Sequence, residues 1–202
     1  MRIGVLGGTF DPIHTGHLIL ASCAADQLKL DKVLFIPAGD PWRKAARTVT
    51  AGAKRLEMVR LATTDDPRFD LDDRELRREG PTYTSDTIRE LKAECGPQAQ
   101  LFFLAGEDAL DDMRFWHKPD VIFAAARLAV APRMATPLPS PPDHEGASLE
   151  LPEFERINMP YVGISSSDVR ERAARGGSLR YLVPDAVDHY IKQEGLYRPL
   201  DR

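Results

Sequence analysis

The sequence predicts an α/β fold, a Rossmann-like doubly wound parallel sheet with helices on both faces, built as a single domain over residues 1–202. Three observations point there. Short continuous apolar runs, the pattern of strands buried on both faces, alternate with longer stretches of helical periodicity. The first run ends in a glycine pair at a strand-to-helix junction, where open parallel sheets take their ligands. The length of 202 residues suits one domain, and 43% hydrophobic residues supply a core without disulfides or a structural metal.

Each element follows from local pattern. Residues 2–7 (RIGVLG) form a buried strand that turns at Gly7-Gly8. Residues 17–28, rich in Leu and Ala, form a helix, and residues 32–36 (KVLFI) a second strand stopped by Pro37. Leu56, Val59 and Leu61 place a helix over 51–63, and residues 69–76 read as a strand interrupted by charges. A helix starts at Thr84 or Ser85 and ends near Cys95 at Gly96-Pro97. Residues 100–105 (QLFFLA) and 128–131 (LAVA) are two further buried strands. Seven of the sixteen prolines fall between Pro132 and Pro160, which predicts a surface excursion at about 133–153. A short strand over 156–159 and two helices follow, the first over 165–175 with Gly176-Gly177 as its stop. Strands alternating with helices give right-handed βαβ units.

Composition excludes several classes. A charged fraction of 29% beside that hydrophobic fraction is that of a globular chain, not a disordered one. The net charge of −4 argues against a nucleic-acid partner. No apolar run approaches the roughly 18 residues of a membrane span, so no membrane partner is expected. The opening residues lack the features of a secretory signal. Cys23 and Cys95 match no zinc or redox spacing and read as buried, inert thiols of a cytoplasmic protein.

GGTFDPIHTGH, residues 7–17, joins the first strand to the first helix. Gly7 and Gly8 let the main chain approach a phosphate, and the N–H groups at the helix start offer donors to an anion. His14 and His17, two of only five histidines, share one face at helical spacing and can grip one phosphate chain. Zinc ligation by Asp11, His14 and His17 is the rival reading. The spacing is not HExxH and no second cluster accompanies it, so no protein-held metal is expected. The motif resembles the HxGH signature of the nucleotidyltransferase superfamily. That resemblance implies that the two histidines contact ATP phosphates and stabilise the transition state of adenylyl transfer.

ISSSDVR, residues 164–170, opens the later helix, with Ser165 and Asp168 in capping-box spacing. Arg170 lies in the first turns, where the helix dipole disfavours a cation, and a bound anion would remove that conflict. The stretch is similar to the superfamily's second signature, ISSTxxR, which holds the β- and γ-phosphates of ATP.

Further stretches narrow the resemblance. PAGDPWRK (37–44) follows the second strand, and residues 40–60 carry six basic and two acidic side chains, a rim suited to steering anions. EGPTYTSDT (79–87) puts Thr84 at a helix start, and FFLAGEDALDDMRFW (102–116) ends in an exposed aromatic before Pro119. With the two signatures, these resemble the bacterial nicotinate-nucleotide adenylyltransferase family over nearly the whole chain. For ATP the resemblance implies Gly8, Thr9, Phe10, His14, His17, Gly106, Asp108, Ile164, Ser165, Ser166 and Arg170. For nicotinate mononucleotide it implies Thr9, Lys44, Thr84, Trp116, the main chain of His117, and Arg133. His14, His17, Lys44 and Arg170 would be the catalytic set. Two departures stand out: Trp42-Arg43 replaces the common Pro-His before Lys44, and Glu107 stands where many members carry Ala.

The reaction so implied is adenylyl transfer from ATP to nicotinate mononucleotide, giving deamido-NAD and pyrophosphate in NAD biosynthesis, with Mg2+ arriving on ATP. Within the same superfamily, a nicotinamide-mononucleotide or dual-specificity adenylyltransferase is the alternative. A nucleotide-sensing module without turnover would need neither both histidines nor Lys44 and Arg170. Self-association into a homo-oligomer is the remaining partner expectation.

Overall fold

The computed structural model describes residues 1–39, 49–113, 115–132 and 152–198. Among them β1 (Arg2–Gly8), β2 (Lys32–Pro37), β3 (Phe69–Leu71), β4 (Gln100–Gly106), β5 (Ala126–Ala131) and β6 (Phe154–Arg156) form one sheet in the order β3-β2-β1-β4-β5-β6. β1 pairs with β4, β4 with β5 and β5 with β6, each in parallel. Parallel neighbours need long crossovers. α1 (Thr15–Leu28) lies between β1 and β2, and α2 (Gly52–Thr63) between β2 and β3. α3 (Arg74–Arg77) and α4 (Thr84–Cys95) precede β4; α5 (Asp108–Met113) and α6 (Pro119–Ala125) precede β5. α7 (Ser166–Ala174) and α8 (Asp185–Gln193) follow β6. This is the doubly wound parallel sheet that the sequence predicts. Winding runs outward from β1 to β3 and restarts at β4, so the order reverses between β1 and β4. The end of β1 at Gly8 is therefore the topological switch point.

The chain clusters into two compact units. The first comprises Met1–Leu6, Leu20–Leu34 and Tyr83–Val162. Its strands carry consecutive buried residues, Ile3–Leu6 in β1 and Leu101–Ala105 in β4, because side chains on both faces are covered. α4 packs against α6. Gln27 of α1 makes a two-way amide link to Asn158, donating to its carbonyl at 2.7 Å and accepting its N–H at 2.8 Å. The second unit comprises Gly7–Ile19, Phe35–Thr82 and Gly163–Arg202. Phe10, Ile13, Phe35, Met58, Val187 and Ile191 form its core. Phe35 meets Phe69 at 5.2 Å between ring centres, and α2 packs against α8.

Several expectations need correction. The strand expected over 69–76 ends at Leu71, and a helical turn, α3, takes the rest. The Asp72 side chain accepts from Arg74 N at 2.9 Å and Asp73 O from Leu76 N at 2.9 Å, which starts a turn where the strand would run on. α5 and α6 were not expected; Pro119 stands in the first turn of α6, where its missing N–H costs no bond. The last strand lies two residues earlier than expected, since Phe154–Arg156 takes the register opposite Leu128–Val130. In α2 the buried face is Arg55, Met58, Val59 and Thr63, while Leu56 and Leu61 are half-buried. Cys23 and Cys95 are half-buried free thiols. Burial, then the nearby Asp26, pushes the Cys23 thiol up, away from the reactive thiolate. The proline-rich excursion lies almost entirely at 133–151, outside the described residues.

Candidate active site

The first motif is a turn held by its own side chains. His14 precedes α1 and His17 is its third residue. His17 Nδ1 accepts the His14 N–H at 3.1 Å, while His17 N donates to His14 O at 2.9 Å. His17 thus fills the role that Glu takes in a capping box. The two imidazoles lie 3.7 Å apart between centres, tilted by 31°. Because Nδ1 accepts, the neutral His17 ring carries its proton on Nε2, which makes Nε2–H the donor of that ring. The ring also meets Phe10 edge-on, at 5.1 Å and 79°. Phe10 is buried and has φ 49°, a left-handed conformation that is costly for a bulky residue. A Cβ at Gly8 would come within 3.1 Å of the Phe10 ring, so this glycine makes room for an aromatic of its own motif.

The second motif begins with the capping box that its spacing predicts. Ser165 Oγ accepts from Asp168 N at 3.1 Å, and the Asp168 carboxylate accepts from Ser165 N at 3.1 Å and from Ser165 Oγ at 2.6 Å. Ser166 and Arg170 make contacts within the protein that the sequence does not predict. The Ser166 hydroxyl donates to Pro12 O at 2.9 Å, so its proton is committed to the first motif. Arg170 donates to Asp11 O at 2.8 Å and to Ser167 Oγ at 2.9 Å. Its conflict with the helix dipole is therefore met by oxygen acceptors of the protein itself. These contacts bring the two signatures together although 154 and 159 positions separate the bonded pairs. The start of α1 is anchored as well: Thr15 N and Oγ1 both donate to Leu182 O at 2.9 Å.

Two supports of the first motif carry no sequence signal of function. Arg55 is 2% exposed on α2. It donates to Thr50 O (2.9 Å), Thr9 O (2.7 Å), Ala38 O (2.7 Å) and Gly39 O (3.2 Å). Burial pulls its pKa down, and the Asp11 carboxylate works against that shift. Tyr197 donates to Asp11 Oδ1 at 2.8 Å. The basic rim expected over 40–60 is thus partly internal. Arg55 is buried, Lys54 pairs with Glu194 at 3.2 Å and Arg60 with Glu57 at 2.6 Å. The spacing of Arg55 to Met58 and Val59, i to i+3 and i+4, marks it as inward-facing; its charge hid it.

The residues expected to hold the mononucleotide's pyridine lie in the first unit. Thr84 is the first residue of α4, following Tyr83. The Tyr83 ring stacks on His117 at 4.2 Å and 29°, which fixes the His117 segment beside the start of α4. Trp116 is half-buried, edge-on to Phe103 at 5.7 Å and 80°, and its main-chain N–H donates to Met113 O. The exposed aromatic here is Phe115, at 59%, not Trp116. Gly106 ends β4 and Asp108 begins α5.

A model of the family described as "Cytidylyltransferase-like" matches residues 5–172. The chain belongs to that family. A protein of Dehalococcoides mccartyi (strain CBDB1) named "Probable nicotinate-nucleotide adenylyltransferase" is 44% identical over 201 residues, covering 98% of this chain and 97% of its own. One of the same name from Salinispora tropica is 42% identical, covering 96% of this chain and all of its own. The solved structure of "Plasmodium falciparum nicotinic acid mononucleotide adenylyltransferase complexed with NaAD" shares the fold, with TM-score 0.77, 19% identity and 97% of each chain covered. Both of these near-full-length relatives carry the name nicotinate-nucleotide adenylyltransferase. Of the residues that this resemblance assigns, Lys44 and Arg133 lie outside the described residues, as do Trp42 and Arg43, and so does the Asp108 side chain.

Proposed function

We propose that the protein transfers the adenylyl group of ATP to nicotinate mononucleotide, releasing pyrophosphate and forming deamido-NAD in NAD biosynthesis. The observation that carries this reading is the pair of bonds from Ser166 and Arg170 to Pro12 and Asp11. They join an HxGH turn to the start of an ISSxxxR helix, two anion-binding elements of the size that a triphosphate needs. The full-length relatives named for the same reaction support it.

In this mechanism a phosphate oxygen of the mononucleotide attacks the α-phosphorus of ATP in line. A new P–O bond forms as the bond to the β-phosphate oxygen breaks, and pyrophosphate leaves with the electron pair. The attacking oxygen is already ionised at pH 7, so no strong general base is required. The protein holds the two phosphates together and offsets developing charge. His17 donates from Nε2 to the α-phosphate, with His14 beside it at the same phosphate chain. The first-turn N–H groups of Ser166 and Ser167, which a helix start leaves without intrahelical partners, receive the β- and γ-phosphates. Lys44 neutralises the departing pyrophosphate, and Arg170 contributes charge while holding the loop. Gly8, Thr9, Phe10, Gly106, Asp108, Ile164 and Ser165 complete the ATP contacts. Thr84, Trp116, the His117 main chain and Arg133 take the acceptor.

Magnesium, carried on the triphosphate, would shield phosphate charge. The acid of the first motif, Asp11, already accepts from Tyr197 and, at a long 3.5 Å, from Thr50 N. That donor set fits a metal held by nucleotide oxygens and water better than one held in a protein cage.

A coupled pyrophosphate-release assay with ATP and nicotinate mononucleotide, nicotinamide mononucleotide or phosphopantetheine tests the reading. Turnover with nicotinate mononucleotide is expected. Release with phosphopantetheine alone would overturn it.

A further inference from the structure

We propose that Arg55 is a positioning residue for adenylyl transfer, acting through Thr9 and Phe10 on the orientation of the His17 ring. The inference rests on the proposed function for its effect on rate, while its effect on the ring does not.

Arg55 is a buried cation whose four acceptors are all main-chain carbonyls on three separate segments. Among the described residues no carboxylate lies within ion-pair distance of it. A buried charge held this way gains little as an ion pair. What it supplies is geometry: a planar fork of donors fixes several carbonyls relative to one another, and a lysine, with its donors on one atom, does not. One segment is the loop after β1, at Thr9. Another is the end of β2, at Ala38 and Gly39, where Ala38 N also donates to Gly8 O at 2.8 Å.

The consequence is concentrated on Phe10. The carbonyl before it, Thr9 O, is held by Arg55, and the carbonyl after it, Asp11 O, by Arg170. Between these two arginine contacts Phe10 keeps φ 49°. A non-glycine residue persists in that region only where its surroundings over-determine it. The strain places the Phe10 ring against His17, which in turn accepts the His14 N–H. A continuous path of contacts therefore runs from the Arg55 guanidinium to the His17 imidazole. Release of Thr9 O lets Phe10 relax toward negative φ and frees the His17 ring to turn. A displacement of about 1 Å at a reacting group costs roughly a hundredfold in rate.

The test uses Arg55→Lys and Arg55→Gln, with Phe10→Leu as a variant that breaks the same path without removing the buried charge. Folding is checked by circular dichroism and melting. Steady-state kcat and KM are measured well below each melting temperature, and the His17 ring is followed by nitrogen-15 NMR. Folded variants are expected to lose more than tenfold in kcat, and the Arg55 variants to change both KM values less than threefold. The His17 signals should leave the Nε2–H pattern, and Arg55→Lys should fare no better than Arg55→Gln. A folded Arg55 variant with kcat within tenfold of wild type overturns the proposal, as does a loss carried by KM or an unchanged His17 signal. If neither Arg55 variant folds, Phe10→Leu decides by kcat and the His17 signal, because Phe10 is itself placed among the ATP contacts: an unchanged kcat or an unchanged His17 signal then overturns the proposal. A wild-type protein that fails to turn over nicotinate mononucleotide overturns the function instead, and the His17 signal alone then judges the path from Arg55.

Discussion

Tyr197 donates its phenolic hydrogen to Asp11 Oδ1 at 2.8 Å, across 186 positions of the sequence. The bond anchors the HxGH turn from below. Asp11 thereby connects three supports of that turn: its carboxylate meets Tyr197, its carbonyl meets Arg170, and its field reaches Arg55.

Tyr197→Phe should cost about 2 kcal/mol, since a hydrogen bond to a carboxylate is lost in a largely buried setting. For a chain of this size that is a fall of roughly 4–8 °C in melting temperature. Burial, then the Asp11 charge, raises the Tyr197 pKa above its ordinary value. The unfolded phenol ionises near pH 10 while the folded one keeps its proton, so the stabilisation is complete below about pH 10 and is lost as pH rises beyond it. Urea titrations between pH 9 and pH 11 should show stability falling more steeply in the wild type than in the variant. Parallel slopes would contradict this account.

His17→Ala should lower kcat by two to three powers of ten, the usual cost of one transition-state donor. It should also destabilise the fold by about 1 kcal/mol, because the His14 N–H loses its acceptor at the start of α1. His17→Asn separates the two roles. Its Oδ1 can still accept that N–H but nothing replaces Nε2–H, so stability should return and kcat should not. Recovery of both by Asn would remove the catalytic role.

Arg170→Ala should raise the KM for ATP more than the KM for the acceptor, and should cost about 1 kcal/mol because Asp11 O loses its donor. From sequence alone, with a cation leaving a helix N-terminus, a small gain in stability is expected. Calorimetry of the variant decides between the two signs.

Nicotinate presents a carboxylate where nicotinamide presents an amide. In the proposed site, main-chain donors near Thr84 and His117 would suit acceptor-only oxygens, and an NH2 group would turn a donor against a donor. The kcat/KM for nicotinate mononucleotide should exceed that for nicotinamide mononucleotide by at least about a hundredfold. Trp116→Ala should weaken both acceptors alike, since the ring offers each the same face. Thr84→Ala should narrow the gap only if its hydroxyl takes part. Equal turnover of both mononucleotides would indicate a dual-specificity enzyme.

The sheet was legible because buried parallel strands spell themselves as runs such as LFFLA, and the motifs because glycine, histidine and serine at fixed offsets are rare by chance. The capping box of Ser165 and Asp168 is local and was readable for the same reason. Arg55 and Tyr197 were not readable. Their roles depend on main-chain carbonyls and one carboxylate brought from distant segments, and a single sequence records no such pairing. α5 and α6 escaped because their short apolar faces, Met113 and Ile122, give too few turns for periodicity to emerge. The ends of β3 and β6 moved because neighbours and turn-forming aspartates set them, against the strand's own preference.

The bonds that join residues 11–12 to 166–197 also order events in time. Synthesis at roughly 5–20 residues per second separates Asp11 from Tyr197 by on the order of 10–40 s. For most of that interval a nascent chain has the HxGH turn written in it but lacks Ser166 and Arg170, and until its end it lacks Tyr197, to hold the turn in shape. The anchoring of the HxGH turn is therefore a property that arrives with the closing stretch of translation. A message truncated between codons 157 and 165 yields a product that carries all six described strands but lacks Ser166, Arg170 and Tyr197.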